Sequence, residues 1–361
     1  MAERAFLATR KGLFELAYRH GEWRHDSKSF FGDPVSMVLH DARDGTTYAC
    51  LNLGHFGTKM HRRDAGSEAW QEIAVPAYPP KPEGSADKFD WALKQVWSLE
   101  AGGPDQPGVL WAGTLPGGLF RSNDRGDSWQ LVESLWNLPQ RAQWMGGGYD
   151  VPGIHSICVD PRDSNALLVG VSVGGVWATS DGGASWQLRA RGMVARYMPP
   201  EMQDDGVVQD AHRIVRCGGE PDMLWCQHHC GIWFSQDNAE SWVEVTAPLS
   251  TFGFAVAVHP RDGRTAWFAP GVADQLRVPV DAALAVNRTS DGGASFVTLR
   301  SGLPQEHCYD LVYRHGLAVA DDGKTLLMAS TTGGVWLSTN AGEHWQTLST
   351  TMPPVYAVCF G

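Results

Sequence analysis

Short apolar runs of strand character alternate along the chain with polar boxes of one recurring form. Gly174-Gly-Val-Trp-Ala-Thr179 leads into Thr179-Ser-Asp-Gly-Gly-Ala-Ser-Trp186, and Trp186-Gln-Leu-Arg189 follows. The same box returns at Ser122…Trp129, Ser235…Trp242, Thr289…Phe296 and Ser338…Trp345. The shared form is Ser/Thr-x-Asp-x-Gly-x-x-Trp, with Ala239 for Gly, Asn340 for Asp and Phe296 for Trp. Weaker copies lie at Asp64-Ala-Gly66 before Trp70 and at Gly21-Glu-Trp23. A hydroxyl, a carboxylate and a glycine within a few residues are turn chemistry, because the Asp side chain accepts backbone N–H bonds and Gly takes positive φ freely. Each box is therefore expected to be a hairpin turn whose aromatic opens the next strand as a packing anchor.

The end-aromatics Trp23, Trp70, Trp129, Trp186, Trp242, Phe296 and Trp345 mark seven units at similar spacing. Self-similarity at that period predicts an all-β, seven-bladed β-propeller of four-stranded antiparallel blades. Each blade runs inner strand, second strand, hairpin, third strand, box, outer strand. Inner strands are expected to begin near Ser36, Val96, His155, His212, Phe254 and Tyr309. Second strands are expected at 48–53, 110–114, 167–171, 224–228, 266–269 and 326–330. The first unit lacks an inner strand, and the C-terminal run Pro354-Val-Tyr-Ala-Val-Cys-Phe360 lacks a blade. The tail is expected to supply that strand and close the ring, which removes exposed edges. Propeller geometry places the boxes on one face and the long connections 74–94, 134–152 and 190–211, with the insertion 271–285, on the other. Long loops on a rigid scaffold are where function is expected.

The Ser-x-Asp-x-Gly-x-x-Trp box resembles the Asp-box, or BNR repeat, of sialidase-like propellers, and more broadly WD40/YVTN/BNR-like repeat proteins. It also resembles the boxes of some xyloglucanases, sortilin-type receptors and a photosystem assembly factor. The resemblance covers most of the chain and implies the propeller, with the box a structural turn on the face opposite the active site. For a true sialidase it further implies three arginines around a substrate carboxylate, met here by Arg10, Arg213 and Arg277, and a tyrosine nucleophile, met by Tyr309 or Tyr356. The family's Arg-Ile-Pro motif is absent; the chain reads Thr9-Arg-Lys-Gly12.

The 361 residues divide into seven blades of roughly 50 residues, so a single domain over 1–361 is expected. A net charge of −11 with no basic run argues against a nucleic-acid partner. No stretch approaches the ~18–20 apolar residues that span a bilayer. The first residues enter a strand without a signal-peptide core, and seven Cys at irregular spacing make no disulfide framework, so a cytoplasmic setting is expected.

Histidines are the sharpest chemical signal among these residues. His155 and His212 open inner strands, and His228 and His229 occupy the hairpin of the fifth blade. These four are the expected ligands of a divalent metal, zinc first, with no organic cofactor; three His and an open position are a common catalytic zinc arrangement. Cys226-Gln-His-His-Cys230 matches no common zinc spacing; Cys226 is expected to pack between blades. Glu201, Asp210, Arg213 and Tyr309 are the candidate catalytic residues on the same face. Arg10, Lys11, Trp97, Trp144, Tyr197, His55 and His307 are the candidate substrate contacts, with Trp97 readable equally as core. The expected function is a hydrolase or lyase acting at the channel mouth on a small molecule or glycan. A metal-free sialidase-like glycosidase and a non-catalytic binding platform are the alternatives.

Overall fold

The computed structural model describes residues 3–361, and among them the chain forms seven four-stranded antiparallel sheets arranged as a β-propeller. Blade 1 pairs Val355–Phe360 with Arg4–Thr9, Gly12–Arg19 and Glu22–Ser29. Ala5 lies opposite Phe360 and Ala8 opposite Ala357, so the C-terminal strand is the innermost strand of the first blade and closes the ring. The inner strands of blades 2 to 7 are Val35–Asp41, Gln95–Ala101, Ile154–Asp160, Ala211–Arg216, Gly253–Val258 and Leu317–Val319.

The repeated boxes share one hydrogen-bond scheme. Thr179 Oγ1 bonds Asp181 Oδ1 at 2.7 Å and accepts from Gly183 N at 3.0 Å, while Asp181 Oδ1 accepts from Ser185 N at 2.9 Å. The boxes at Ser122, Ser235, Thr289 and Ser338 repeat it, with Asn340 Oδ1 taking the carboxylate's part in the last. Two consecutive residues in each box have positive φ, as at Gly182 and Gly183, and Ala239 adopts φ 63° where the others have Gly. The box tryptophan then reaches the blade before it: Trp129 Nε1 donates to Ala74 O at 3.1 Å and Trp242 Nε1 to Arg189 O at 2.8 Å. Trp177, Trp233 and Trp336 on the third strands are at most 2% exposed and fill the spaces between sheets.

One expected boundary is wrong. The seventh inner strand begins at Leu317, not near Tyr309. Cys308, Leu311 and Val312 are buried where blades 6 and 7 meet, so residues 309–316 run as a loop and leave Tyr309 60% exposed. That loop carries Tyr313, Arg314 and His315 to the axis instead.

The inner strands share a further irregularity that decides what lies at the axis. In six blades the register slips near the start of the inner strand, and the unpaired positions are Ser36, Trp97, His155, His212, Phe254 with Ala255, and Tyr356. A bulge adds one residue to one strand of a pair, bends it and re-aims its side chain. In blade 7 the equivalent place falls in the loop. His212 and Phe254 each stand 12 residues before the second strand of their blade, and so does Arg314 before Leu326–Ala329.

The box carboxyls give the fold an acid limit. Hydrogen bonds from Ser185 and Thr179 hold Asp181 at about 2 against an ordinary 3.8, and those from Ser295 and Thr289 do the same for Asp291. A folded pKa below the unfolded one contributes stability that is present above the unfolded value and lost as pH falls through the folded one. The thermal midpoint should therefore decline between pH 4 and pH 2, and an Asp181→Asn variant should show a shallower decline in scanning calorimetry. An identical slope would separate acid unfolding from the boxes.

Candidate functional site

A cleft of about 960 Å³ opens at the axis on the long-connection face. Its floor is built from the bulge positions Ser36, Trp97, His212, Phe254 and Tyr356 together with Arg314. Its walls come from the connections and hairpins above: Arg10, Asp33, Phe56, Gly146–Gly148 with Tyr149, Tyr197, His229, Asp274, Arg277 and Tyr313. His315 lies at the bottom, where its Nε2 donates to His155 O at 2.9 Å, since a carbonyl only accepts.

Asp210, His212 and His229 form the chemical centre. Asp210 ends the connection between blades 4 and 5, His212 is the bulge residue two positions on, and His229 is in the hairpin that follows Leu224–His228. Asp210 Oδ2 lies 3.5 Å from His212 Nε2 and 3.4 Å from His229 Nδ1. His212 Nδ1 faces Gly253 O at 2.7 Å and must donate its hydrogen there. Burial holds the His212 imidazole below its usual pKa, so the ring is neutral near pH 7 and its Nε2 presents a lone pair. A buried lone pair facing a carboxylate oxygen is stable only with a proton or a cation between them. Burial works to raise the Asp210 carboxyl; while the His212 ring keeps its proton, that charge, the contacts of both imidazoles and the Arg314 guanidinium outweigh burial and hold the carboxyl well below its usual range. Asp210 Oδ1 is buried without a partner.

This donor set fits a divalent metal. Three ligand atoms, one per side chain, all lie within 4.8 Å of one another. Two ligands about 2.1 Å from a tetrahedral ion lie about 3.4 Å apart, which is the spacing from Asp210 to each imidazole. The His212 Nδ1–H bond to a backbone carbonyl is the outer-shell contact that metal-bound imidazoles usually make. Gly147 suits the close approach beside it, because a Cβ there would stand 3.0 Å from Asp210 Oδ1.

Two of the four histidines expected as ligands are turned elsewhere. His228 is fully buried; its Nε2 faces Asp210 N and its Nδ1 faces Cys230 N, each at 3.0 Å. A neutral ring accepts at one nitrogen only, so one of these is the hydrogen bond and the other nitrogen carries the proton; neither faces the cleft, and burial pushes the ring down to about 3. His155 is also fully buried, under Trp97 at 5.4 Å, with Nδ1 on Ser156 Oγ at 2.9 Å, and it does not line the cleft.

The other candidates divide in the same way. Of the four proposed catalytic residues the cleft contains Asp210 alone. Glu201 is exposed on the turn Pro200–Met202, and Tyr309 is exposed on the loop before blade 7. Arg213 follows the bulge, so its side chain enters the lower half of the channel beside Glu100, with Nη1 on His155 O at 3.3 Å. Of the substrate contacts, Arg10, Trp97 and Tyr197 line the cleft. Trp97 is core, at 7% exposed and packed on Leu115 and Val151, and it also borders the cleft. Trp144 is buried between blades 3 and 4 near Trp177, while the glycines after it reach the cleft. Lys11 and His307 are exposed outside the cleft, and His55 is exposed against Phe56, which takes the rim position in its place. Cys226 is buried between blades and all seven cysteines are free thiols. The sequence reading missed Tyr313, Arg314 and His315; the recurring 12-residue spacing before the second strand is the signal that locates them.

No protein-family model matches the chain. It is 35% identical over 85 residues to a probable oligoxyloglucan-reducing end-specific xyloglucanase of Neosartorya fischeri, covering 23% of this chain and 9% of that protein. It is 22% identical over 334 residues to a xyloglucanase of Hypocrea jecorina, covering 87% of this chain and 32% of that protein. The chain thus spans a third or less of the length of these relatives. Among solved structures it is similar to an ancestral GH74 enzyme, at 14% identity and TM-score 0.61, over 91% of this chain and 38% of that one. A putative 6-phosphogluconolactonase from Bacteroides uniformis matches at 11% and 0.60, over 100% and 99%. YCF48 bound to D1 peptide matches at 14% and 0.56, over 94% and 90%. At such identities the likeness is one of fold, and this fold hosts many functions. No helix among the described residues is long and apolar enough to cross a membrane.

The donor geometry separates two sets of variants. If these three side chains take a divalent ion, Asp210→Asn, His212→Ala and His229→Ala should each lower zinc affinity more than tenfold, since loss even of an outer-shell partner costs roughly 10- to 100-fold. His155→Ala, if folded, should leave the stoichiometry of one ion per chain unchanged. Calorimetric titration of the chelator-treated protein with zinc measures both.

Proposed function

We propose that the cleft is the active site of a hydrolase that binds a divalent metal on Asp210, His212 and His229 and acts on a small-molecule or glycan ligand seated over the channel. The single observation that supports the metal is the His212 Nε2 lone pair aimed at the Asp210 carboxylate 3.5 Å away in a buried setting. Two imidazoles and one carboxylate leave coordination positions open, as catalytic zinc sites do. When bound, the ion supplies Lewis-acid activation of a ligand oxygen or of water.

The chain's own groups do the rest. Asp210 Oδ1, unpartnered at the edge of the cleft, is placed to accept a proton from an attacking water. His229, only partly covered, stands between that carboxylate and Tyr197, whose ring meets it edge-on at 5.0 Å. Tyr149 and Tyr356 give the cleft rings on which a sugar or other flat ligand face can stack. The names of the xyloglucanase relatives support a glycan as the ligand class.

A second reading has its own support. Asp33 and Asp274 line the same cleft as Asp210, and paired carboxylates about 5–10 Å apart suffice for glycoside hydrolysis without a metal.

A panel of aryl glycosides, aryl esters and sugar lactones assayed with zinc or manganese, and again after chelation, tests the proposal. Turnover is expected in the metal-loaded protein, with loss on chelation. Asp210→Asn should lower kcat by roughly 10²–10⁴-fold, the range of a lost proton acceptor. Turnover that survives chelation but not Asp210→Asn would favour the carboxylate reading. Turnover untouched by His212→Ala and Asp210→Asn would move the active site elsewhere.

A further inference from the structure

Arg314 is an anomaly among the charged residues of this protein. Its side chain lies between the faces of Trp97 and Phe254, 4.8 Å and 5.2 Å from the ring centres, and the residue is 8% exposed. No carboxylate stands within 4.0 Å of it among the described residues. Its hydrogen bond to the protein is a long one, Nη2 to Gly147 O at 3.4 Å, and its Nε has no partner. Several other well-covered arginines are matched: Arg63 meets Glu15 at 2.6 Å, Arg43 meets Asp41 at 2.6 Å, and Arg141 meets Asp87 at 2.8 Å, while Arg213 in the lower channel has Glu100 beside it. In the cleft itself Arg277 is held by Asp274 at 2.5 Å. A guanidinium does not shed its proton, so a buried one calls for a counter-charge.

Asp210 acts on Arg314 through space without touching it. Its charge is already engaged by His212 and His229. The two ring contacts engage the guanidinium through its charge and leave its N–H groups to a partner, and a guanidinium fork can grip two oxygens at once.

From this we infer that Arg314 is the anchor for an anionic group of the ligand, a carboxylate or a phosphate, so that the molecule bound over the axis is an acidic sugar or sugar-like compound and not a neutral glucan. The inference rests on the reading of the cleft as the functional site, but the anchor itself is independent of the metal.

Calorimetry with D-glucuronate, glucose 6-phosphate and D-glucose, on metal-loaded and on chelator-treated protein, tests it. At least one acidic probe should bind tenfold or more tightly than glucose, and which of the two is stronger separates carboxylate from phosphate recognition. Arg314→Gln should erase roughly 10- to 100-fold of that preference, the size of a lost charged hydrogen bond. Arg314→Lys should keep part of it, because it retains the charge and loses the fork. The preference should persist without metal, so a protein that takes up no zinc but discriminates acid from glucose leaves the anchor standing while the metal reading fails. Zinc uptake without discrimination, no binding of either acid, or an unchanged preference in folded Arg314→Gln overturns the anchor. If the glutamine variant does not fold, inorganic phosphate decides with the wild-type protein: it should displace the bound acid, and failure to displace it overturns the proposal.

Discussion

Closure of seven sheets into a ring brings the beginnings of seven inner strands to one axis, and the cleft depends on the bulge those strands carry there. An unbroken antiparallel pair would alternate its side chains between the two neighbouring blades, leaving the axis to whatever happened to fall in phase. The extra residue breaks that phase in six of the blades. The result is a floor of residues from six blades, with Arg314 supplied by a loop in the seventh and the fourth blade's His155 buried beneath Trp97. The scaffold fixes where these side chains stand, and the blade sequences choose what they are: a serine, a tryptophan, a histidine, a phenylalanine, an arginine and a tyrosine.

Buried charge is met unevenly. Glu15 lies between Arg4 and Arg63 and Asp160 beside Arg216, whereas Arg314 at the cleft floor is in no ion pair among the described residues and Asp210 Oδ1 lacks a hydrogen-bond partner. Unmet polar groups are costly in a fold and persist where something else meets them. The pair at the axis stands beside two imidazoles in a cleft on the face bearing the long connections, and that combination is the ground for proposing the site there.

The number of blades, the strand order, the box turns and the closure by the tail were legible in the residues, because each rests on local chemistry: a hydroxyl, a carboxylate and a glycine make the same turn wherever they occur together. The face that carries the long connections and the cleft was legible too, since loop length alone placed it. Individual site residues were less so. His228 and His229 are neighbours, yet one is turned to backbone N–H groups and the other reaches the cleft. Arg213 and His212 adjoin each other, and the bulge sends them to different halves of the channel.

By itself, then, the sequence determined a closed seven-bladed ring and the side of it on which chemistry gathers, through periodic apolar runs and turn signals that act over a few residues. Only the tertiary structure decided which imidazoles converge on Asp210, that Trp144 is core, and that Arg314 lies uncompensated at the axis. Those outcomes turn on one-residue register slips and on packing between blades distant in sequence, and no local pattern encodes either.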